Sequence, residues 1–352
     1  MKHFDFAIGN PPYQEPTEAT RDKPVYDVFM DEAFVIADKV ELITPGRFLF
    51  NAGATPKPWN EKMLHDEHFK VLSYEPDATK VFSNVGFKGG VAITYRDASK
   101  KYGAIETYSI YPELNKIRSR VSLLFNESFS SIMFGQGTYK FTSKMHQDHP
   151  EVKYKEGPDG DNLGILSKGH DNDIATNALE KLDGIIMFAN KPNDGNDYIQ
   201  ILGLKNNVRT RMYIRKDYVN NHQNLNKYKV AYPKANGAGI LGETFSDAEL
   251  VEPGIGHTQT FLSIGCFDDR IEAENTIKYL KTKFCRTLLS VLKVTQDNPP
   301  EKWKYIPLQD FSSSSDINWL KSIKEIDQQL YRKYGLVDEE IQFIETHVKE
   351  ME

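Results

Sequence analysis

The sequence predicts an open α/β sheet followed by a second domain rich in β structure. Strand-like and helix-like segments alternate over roughly the first hundred residues. Helical periodicity then fades after about residue 105, and a length of 352 residues gives each of two domains enough chain for a core.

Phe4 to Gly9 is a short apolar run that stops at Gly-Asn-Pro-Pro, where prolines have no N–H to donate to a ladder, so it reads as a buried strand. Across 25–37, Val25, Val28, Phe29, Ala33, Ile36 and Ala37 recur at helical spacing, with Asp27, Asp31, Glu32 and Asp38 outward. Strands are expected at 40–45, 69–76 and 89–97, and a helix at 58–67. Together these give a largely parallel sheet, whose ligands bind beyond the carboxyl ends of the strands. Residues 10–13 lie at one such end. A helix is expected from Glu272 to Lys293 and another within "DINWLKSIKEIDQQLYRKYGL", followed by an acidic tail.

The net charge of −6 gives no global signal for a polyanion partner, so a basic surface has to come from local clustering. Within 201–240, eight basic side chains (Lys205, Arg209, Arg211, Arg215, Lys216, Lys227, Lys229 and Lys234) stand against one acid, Asp217, a local net of +7. Tyr213, Tyr218, Tyr228 and Tyr232 interleave with them. This stripe reads as a surface for a phosphate backbone, with Arg209, Arg211, Arg215 and Lys216 as the candidate DNA contacts. The only two cysteines, Cys266 and Cys285, have neither disulfide-framework nor zinc spacing, and no run approaches the ~20 apolar residues of a membrane span. A cytoplasmic protein is expected.

Asn10-Pro11-Pro12-Tyr13 carries the chemistry. The Asn10 side-chain carbonyl and the Pro11 backbone carbonyl, held side by side by a rigid turn, can both accept from one exocyclic NH2 group. They would also stabilise charge that develops as the nitrogen attacks, while Tyr13 offers a ring for a base to stack on.

Four blocks in order, "FDFAIGNPPYQ", "VYDVFMDEAF", "ELITPGRFL" and "KVFSNVGFKGGVAIT", with "YIPLQDF" nearer the end, resemble one family. It is the S-adenosylmethionine-dependent adenine-N6 DNA methyltransferases of bacterial restriction-modification systems. The likeness runs over the second half of their catalytic domain and then a target-recognition domain. It implies a partial Rossmann-like methyltransferase sheet followed by a mixed α+β target-recognition domain, with divisions at 1–105, 106–300 and a helical segment 301–352. It implies that Asn10 and the Pro11 carbonyl hold the target amine, that Pro12 rigidifies the turn, and that Tyr13 stacks on a flipped adenine. It also implies that Phe82 packs the base's other face, with Phe87 the second candidate, and that Phe29 lies near the cofactor's adenine ring. Phe29 equally fits the core face of its helix, and Phe82 equally fits a plug at a sheet edge.

Family members carry a Gly-rich cofactor loop before this tetrapeptide, where this sequence has three residues. The expectation is therefore a fragment, or one half of a split enzyme whose cofactor-binding partner supplies the rest, with an unpaired apolar edge on the first strand. Double-stranded DNA is the expected macromolecular partner. A non-catalytic DNA-binding module and methylation of another planar amine, a glutamine or an RNA base, are the rival readings. "GAGILG" at 237–242 fits G-x-G-x-x-G but lacks the helix and acid that should follow, so a loop is expected there. The pairs His65/His68 and His146/His149 have no third ligand of matching context and are read as surface histidines, so no metal is expected.

Overall fold

The computed structural model describes residues 4–15, 23–82, 90–293 and 295–351. The chain divides into two compact units, Met1–Asn115 and Lys116–Glu352.

The first unit opens with β1 (Phe4–Gly9), a short antiparallel pair β2 (Gln14–Glu15) and β3 (Lys23–Pro24), helix α1 (Tyr26–Ile36) and strand β4 (Ala37–Pro45). Then come α2 (Lys57–His65), β5 (Phe69–Glu75) and β6 (Val91–Asp97). β1 pairs in parallel with β4, from Phe4 opposite Ala37 to Gly9 opposite Leu42, and α1 packs on β4, so β1–α1–β4 is a crossover unit. Sheet order is β1-β4-β6-β5. The expectation of a largely parallel sheet needs correction here. β1, β4 and β5 run the same way, but β6 inserts antiparallel between β4 and β5, so just one described pairing in this sheet is parallel. Among its described residues, the segment joining β5 to β6 holds a single 3-10 turn, Ala78–Lys80.

α1 also sits rotated from the expected register. Its core face is Tyr26 and Met30, backed by Ala33 and Phe34, where Tyr26 and Phe48 meet Trp59 edge-on. Val28, Phe29 and Val35 face outward, and Asp27, expected outside, is buried. The helix carries apolar residues on both sides, so periodicity alone left two solutions.

Strand β1 forms one end of the described sheet, with Phe4, Phe6 and Ile8 on one face and 50%, 46% and 73% exposed. An apolar strand edge of this kind is a template for further pairing.

Helix α3 (Pro112–Ser122) contains the division point. The second unit continues through β7 (Met133–Phe134), α4 (Ser143–Asp148), α5 (Ala178–Lys181), β8 (Tyr198–Lys205), β9 (Val208–Arg215) and β10 (Tyr228–Pro233). β11 (Glu249–Val251), β12 (Ile255–His257) and β13 (Phe261–Phe267) complete its strands. They form one antiparallel sheet, β11-β10-β13-β7, and a second sheet, β12-β8-β9. β9 alternates cleanly: Met212 and Ile214 enter the core while Arg209, Arg211, Tyr213 and Arg215 share the other face.

The expected helix 272–293 is two helices, α6 (Arg270–Lys281) and α7 (Lys283–Leu289). Thr282 breaks it: its backbone is extended, its hydroxyl donates to the Tyr279 carbonyl, and its oxygen accepts the Cys285 N–H to cap α7. α8 (Ile323–Lys333) starts at a capping box of Ser322 and Glu325. The acidic tail is itself folded as α9 (Asp338–His347), where buried Glu340 pairs with Arg120 at 3.0 Å. Residues 301–352 belong to the second unit.

Candidate functional site

Gly9 is the last paired residue of β1, and the chain then leaves the sheet through Asn10 and two prolines that lack an N–H. Asn10 and Pro12 are exposed; Pro11 and Tyr13 are half-buried. The loop is closed from behind. The Tyr13 carbonyl accepts the Val25 N–H at 3.2 Å, β2 and β3 pair, and Lys23 meets Glu15 at 3.4 Å. Val25 is also the N-cap residue of α1, so the start of the helix and the tetrapeptide are fixed to each other.

Burial raises the pKa of the Tyr13 phenol, an effect partly offset by the Asn10 side chain beside it. The Tyr13 ring lies 6.4 Å from the Phe82 ring at 65°, edge to face. Phe82 follows a 3-10 turn, Ala78–Lys80, capped by Asp77, and its N–H donates to the Ala78 carbonyl at 2.9 Å. Two residues expected to stack on one base are thus brought together from distant parts of the sequence. A base between them requires the rings to turn towards parallel. Phe87 lies outside the described residues. Phe29 is 47% exposed, which removes the core explanation for it and leaves its face open to a ligand.

The basic stripe is less free than its sequence suggests. Arg209 and Arg211 both pair with Glu249, and Arg209 also donates to the Asp247 carbonyl. Arg215 pairs with Asp217 at 2.6 Å and Asp148 at 3.5 Å, and lies over the Tyr218 ring. Lys205 pairs with Asp183 and Lys227 with Asp268. Lys229 is buried among the carbonyls of Leu225, Lys227 and Glu252, and burial lowers its pKa to about 8. Of the four candidate DNA contacts, Lys216 alone makes no ion pair among the described residues. Most of the acids that neutralise the stripe come from outside the 201–240 window.

Gly237 to Gly242 forms a loop between β10 and β11. Two of its N–H groups are occupied: Ala238 and Gly239 donate to the Glu243 carboxylate at 2.6 and 3.0 Å. Buried Lys293 holds the same carboxylate at 2.8 Å. A side chain at Gly242 would run into the His347 carbonyl. The loop lies mostly at the surface, but with Glu243 already seated against the Ala238 and Gly239 N–H groups it does not fit the pyrophosphate or carboxylate of a cofactor. His65 and His68 contact backbone carbonyls through Nδ1, while His146 meets Asn172 and His149 meets Glu151. No group of three or more metal-ligating side chains occurs among the described residues, and no helix there is long and apolar enough to cross a membrane.

Residues 1–82 match the family described as Eco57I restriction-modification methylase. No curated protein matches. Among solved structures, the Type IIL restriction-modification enzyme MmeI in complex with DNA is similar at 9% identity and a TM-score of 0.36, over 97% of this chain and 56% of that one. The present chain thus spans about half the length of that structure. The segment bearing Asn10–Tyr13 and Phe82 is therefore similar in sequence to a restriction-modification methylase.

Proposed function

We propose that this chain carries the amine-binding loop and the DNA-reading domain of an adenine-N6 DNA methyltransferase of a restriction-modification system. The observation that carries this reading is Tyr13 set against Phe82, beside an exposed Asn10, at the carboxyl end of a parallel strand.

The target adenine leaves the duplex at a cost of a few kcal/mol. Stacking on Tyr13 and Phe82 offsets this by roughly 1–3 kcal/mol per base. The Asn10 side-chain oxygen and the Pro11 carbonyl accept the two amine hydrogens, so the nitrogen lone pair points away from both. Because prolines fix the turn, these acceptors need no reorganisation as positive charge grows on the nitrogen. S-adenosylmethionine, when bound, supplies an electrophilic methyl group. Phe29 fits a contact with its adenine ring, whereas the Gly237–Gly242 loop fits none of it. The exposed edge of β1 suits pairing with the strands of a cofactor-binding half, in the same polypeptide or in a partner chain.

The test is product identification: incubate the chain and its cofactor-binding half with labelled S-adenosylmethionine and mixed duplex DNA, digest the DNA, and identify the labelled nucleoside by mass. N6-methyladenine supports the reading. Label on cytosine, or DNA binding with no transfer, would sink it, the second result favouring a non-catalytic specificity module.

A further inference from the structure

The second unit holds an open polar depression of about 560 Å³ lined by Asn196, Asp197, Lys216, Asn221 and Asn226, with Val219 and Leu225 as its apolar floor and Asp217 at its rim. It differs from the neighbouring basic strand. All five residues Asn196, Asp197, Lys216, Asn221 and Asn226 are exposed; the Asn196 side chain hydrogen-bonds the Asp194 carboxylate, whereas those of Asp197, Lys216, Asn221 and Asn226 make no hydrogen bond or ion pair among the described residues.

The segments that carry them, in contrast, are anchored by neighbouring side chains and by a few backbone bonds. Asn220 accepts the Lys140 N–H at 2.7 Å and donates to the Thr138 carbonyl. Buried Asn224 takes the Tyr139 hydroxyl and meets His222 Nδ1, each at 2.7 Å. The Leu225 carbonyl accepts the Gly254 N–H, and Lys216 N–H donates to the Asp197 carbonyl, tying the two walls together. An anchored loop that presents exposed polar side chains with few internal partners is the arrangement a recognition site needs.

The side-chain types narrow the ligand. Phosphate contacts require an excess of cations, and here one lysine faces a free carboxylate. Base edges instead present mixed donors and acceptors: Asn matches adenine N6 and N7, Lys matches guanine O6 and N7, and Asp accepts from cytosine N4. We infer that the depression formed by Asn196–Asp197, Lys216, Asn221 and Asn226 reads base edges of duplex DNA, and so helps set the sequence specificity of this chain. The inference rests on the DNA-binding reading above.

The experiment is selection from a duplex pool with a randomised centre, using the full chain and its Lys216→Gln, Asn221→Ala and Asn226→Ala variants, each first shown to melt like wild type. Wild type should enrich a motif. Each variant should keep most of that motif while losing about tenfold discrimination at one base pair. An unchanged motif in all three variants would overturn the inference. So would a uniform loss of affinity with a shallower salt dependence, which marks phosphate contact. Preferential binding of structured RNA over the selected duplex would overturn it as well. If wild type binds no duplex at all, the proposed function itself fails, whereas a wild-type motif indifferent to these variants sinks the inference alone.

Discussion

In the loop Asn10–Tyr13, a polar side chain and a half-buried ring stand open at a strand end. In the loop Gly237–Gly242, the Ala238 and Gly239 N–H groups close on Glu243, and Glu243 closes on Lys293. Both loops carry patterns associated with ligand binding, and sequence pattern alone does not separate them. What separates them is exposure: Asn10 lies at the surface, whereas the Glu243–Lys293 pair that holds the second loop is largely buried. A related contrast recurs within the second unit, where Arg209, Arg211 and Arg215 are bound to acids and Asp197, Lys216, Asn221 and Asn226 make no such pair among the described residues.

The strongest way to break this comparison is to remove the internal partner. Burial pushes the Glu243 carboxyl upward, but Lys293 and the Ala238 and Gly239 N–H groups together hold it below the usual range. Glu243→Ala leaves Lys293 buried without its counter-charge, so a loss of about 3–5 kcal/mol is expected in denaturant unfolding. A loss under ~1 kcal/mol would mean the loop is not held this way. Phe82→Ala probes the open loop: folding stability should change little, while affinity for a duplex carrying a flipped target falls by roughly 1–3 kcal/mol.

Buried groups should also respond to pH where the open loop does not. Burial raises the Asp327 carboxyl to about 7, against the Phe284 and Lys283 N–H groups that favour its charged form. Its contribution is therefore present below its ordinary value near 4 and is lost as pH rises to 7. Burial lowers His257 to about 4, opposed by the Thr258 carbonyl, so its contribution holds above 6.5 and is lost as pH falls. Over pH 4–6.5 the two slopes oppose each other. Asp327→Asn removes one, and stability should then fall on acidification by up to about 1.4 kcal/mol per pH unit. A parallel wild-type and variant profile would contradict this. Smallest of all, Arg209→Gln breaks a partly exposed ion pair and should cost less than ~1 kcal/mol in the same unfolding assay.

Much of the first unit was legible because periodic burial writes itself into the residue pattern. Phe4–Gly9 is a strand with the expected bounds, though exposed rather than buried as expected, and the strands and helices that follow fall close to their expected positions. Sheet direction was not legible, since nothing in "VAITYRD" tells whether it returns beside β4. The rotation of α1 escaped because both of its sides are apolar. The charge window misled for a different reason: Glu249, Asp183 and Asp268 are remote in sequence from the cations they neutralise. Of the depression at 196–226, only Lys216 was singled out in the sequence; Asn196, Asp197, Asn221 and Asn226 sit in loops, where no periodicity exists to read. The Tyr13–Phe82 contact was anticipated only through the family resemblance, as no local pattern links those positions.

Asn10→Ala tests most directly whether the Asn10–Tyr13 loop acts on a substrate amine. Methyl transfer to duplex DNA and duplex affinity should be measured side by side for wild type and variant, in the presence of the cofactor-binding half. The account predicts a loss of about 100-fold or more in transfer, as for removal of one preorganised electrostatic partner, with affinity and folding essentially unchanged. Transfer that survives the substitution would show that the loop is a relic and that the chemistry lies elsewhere.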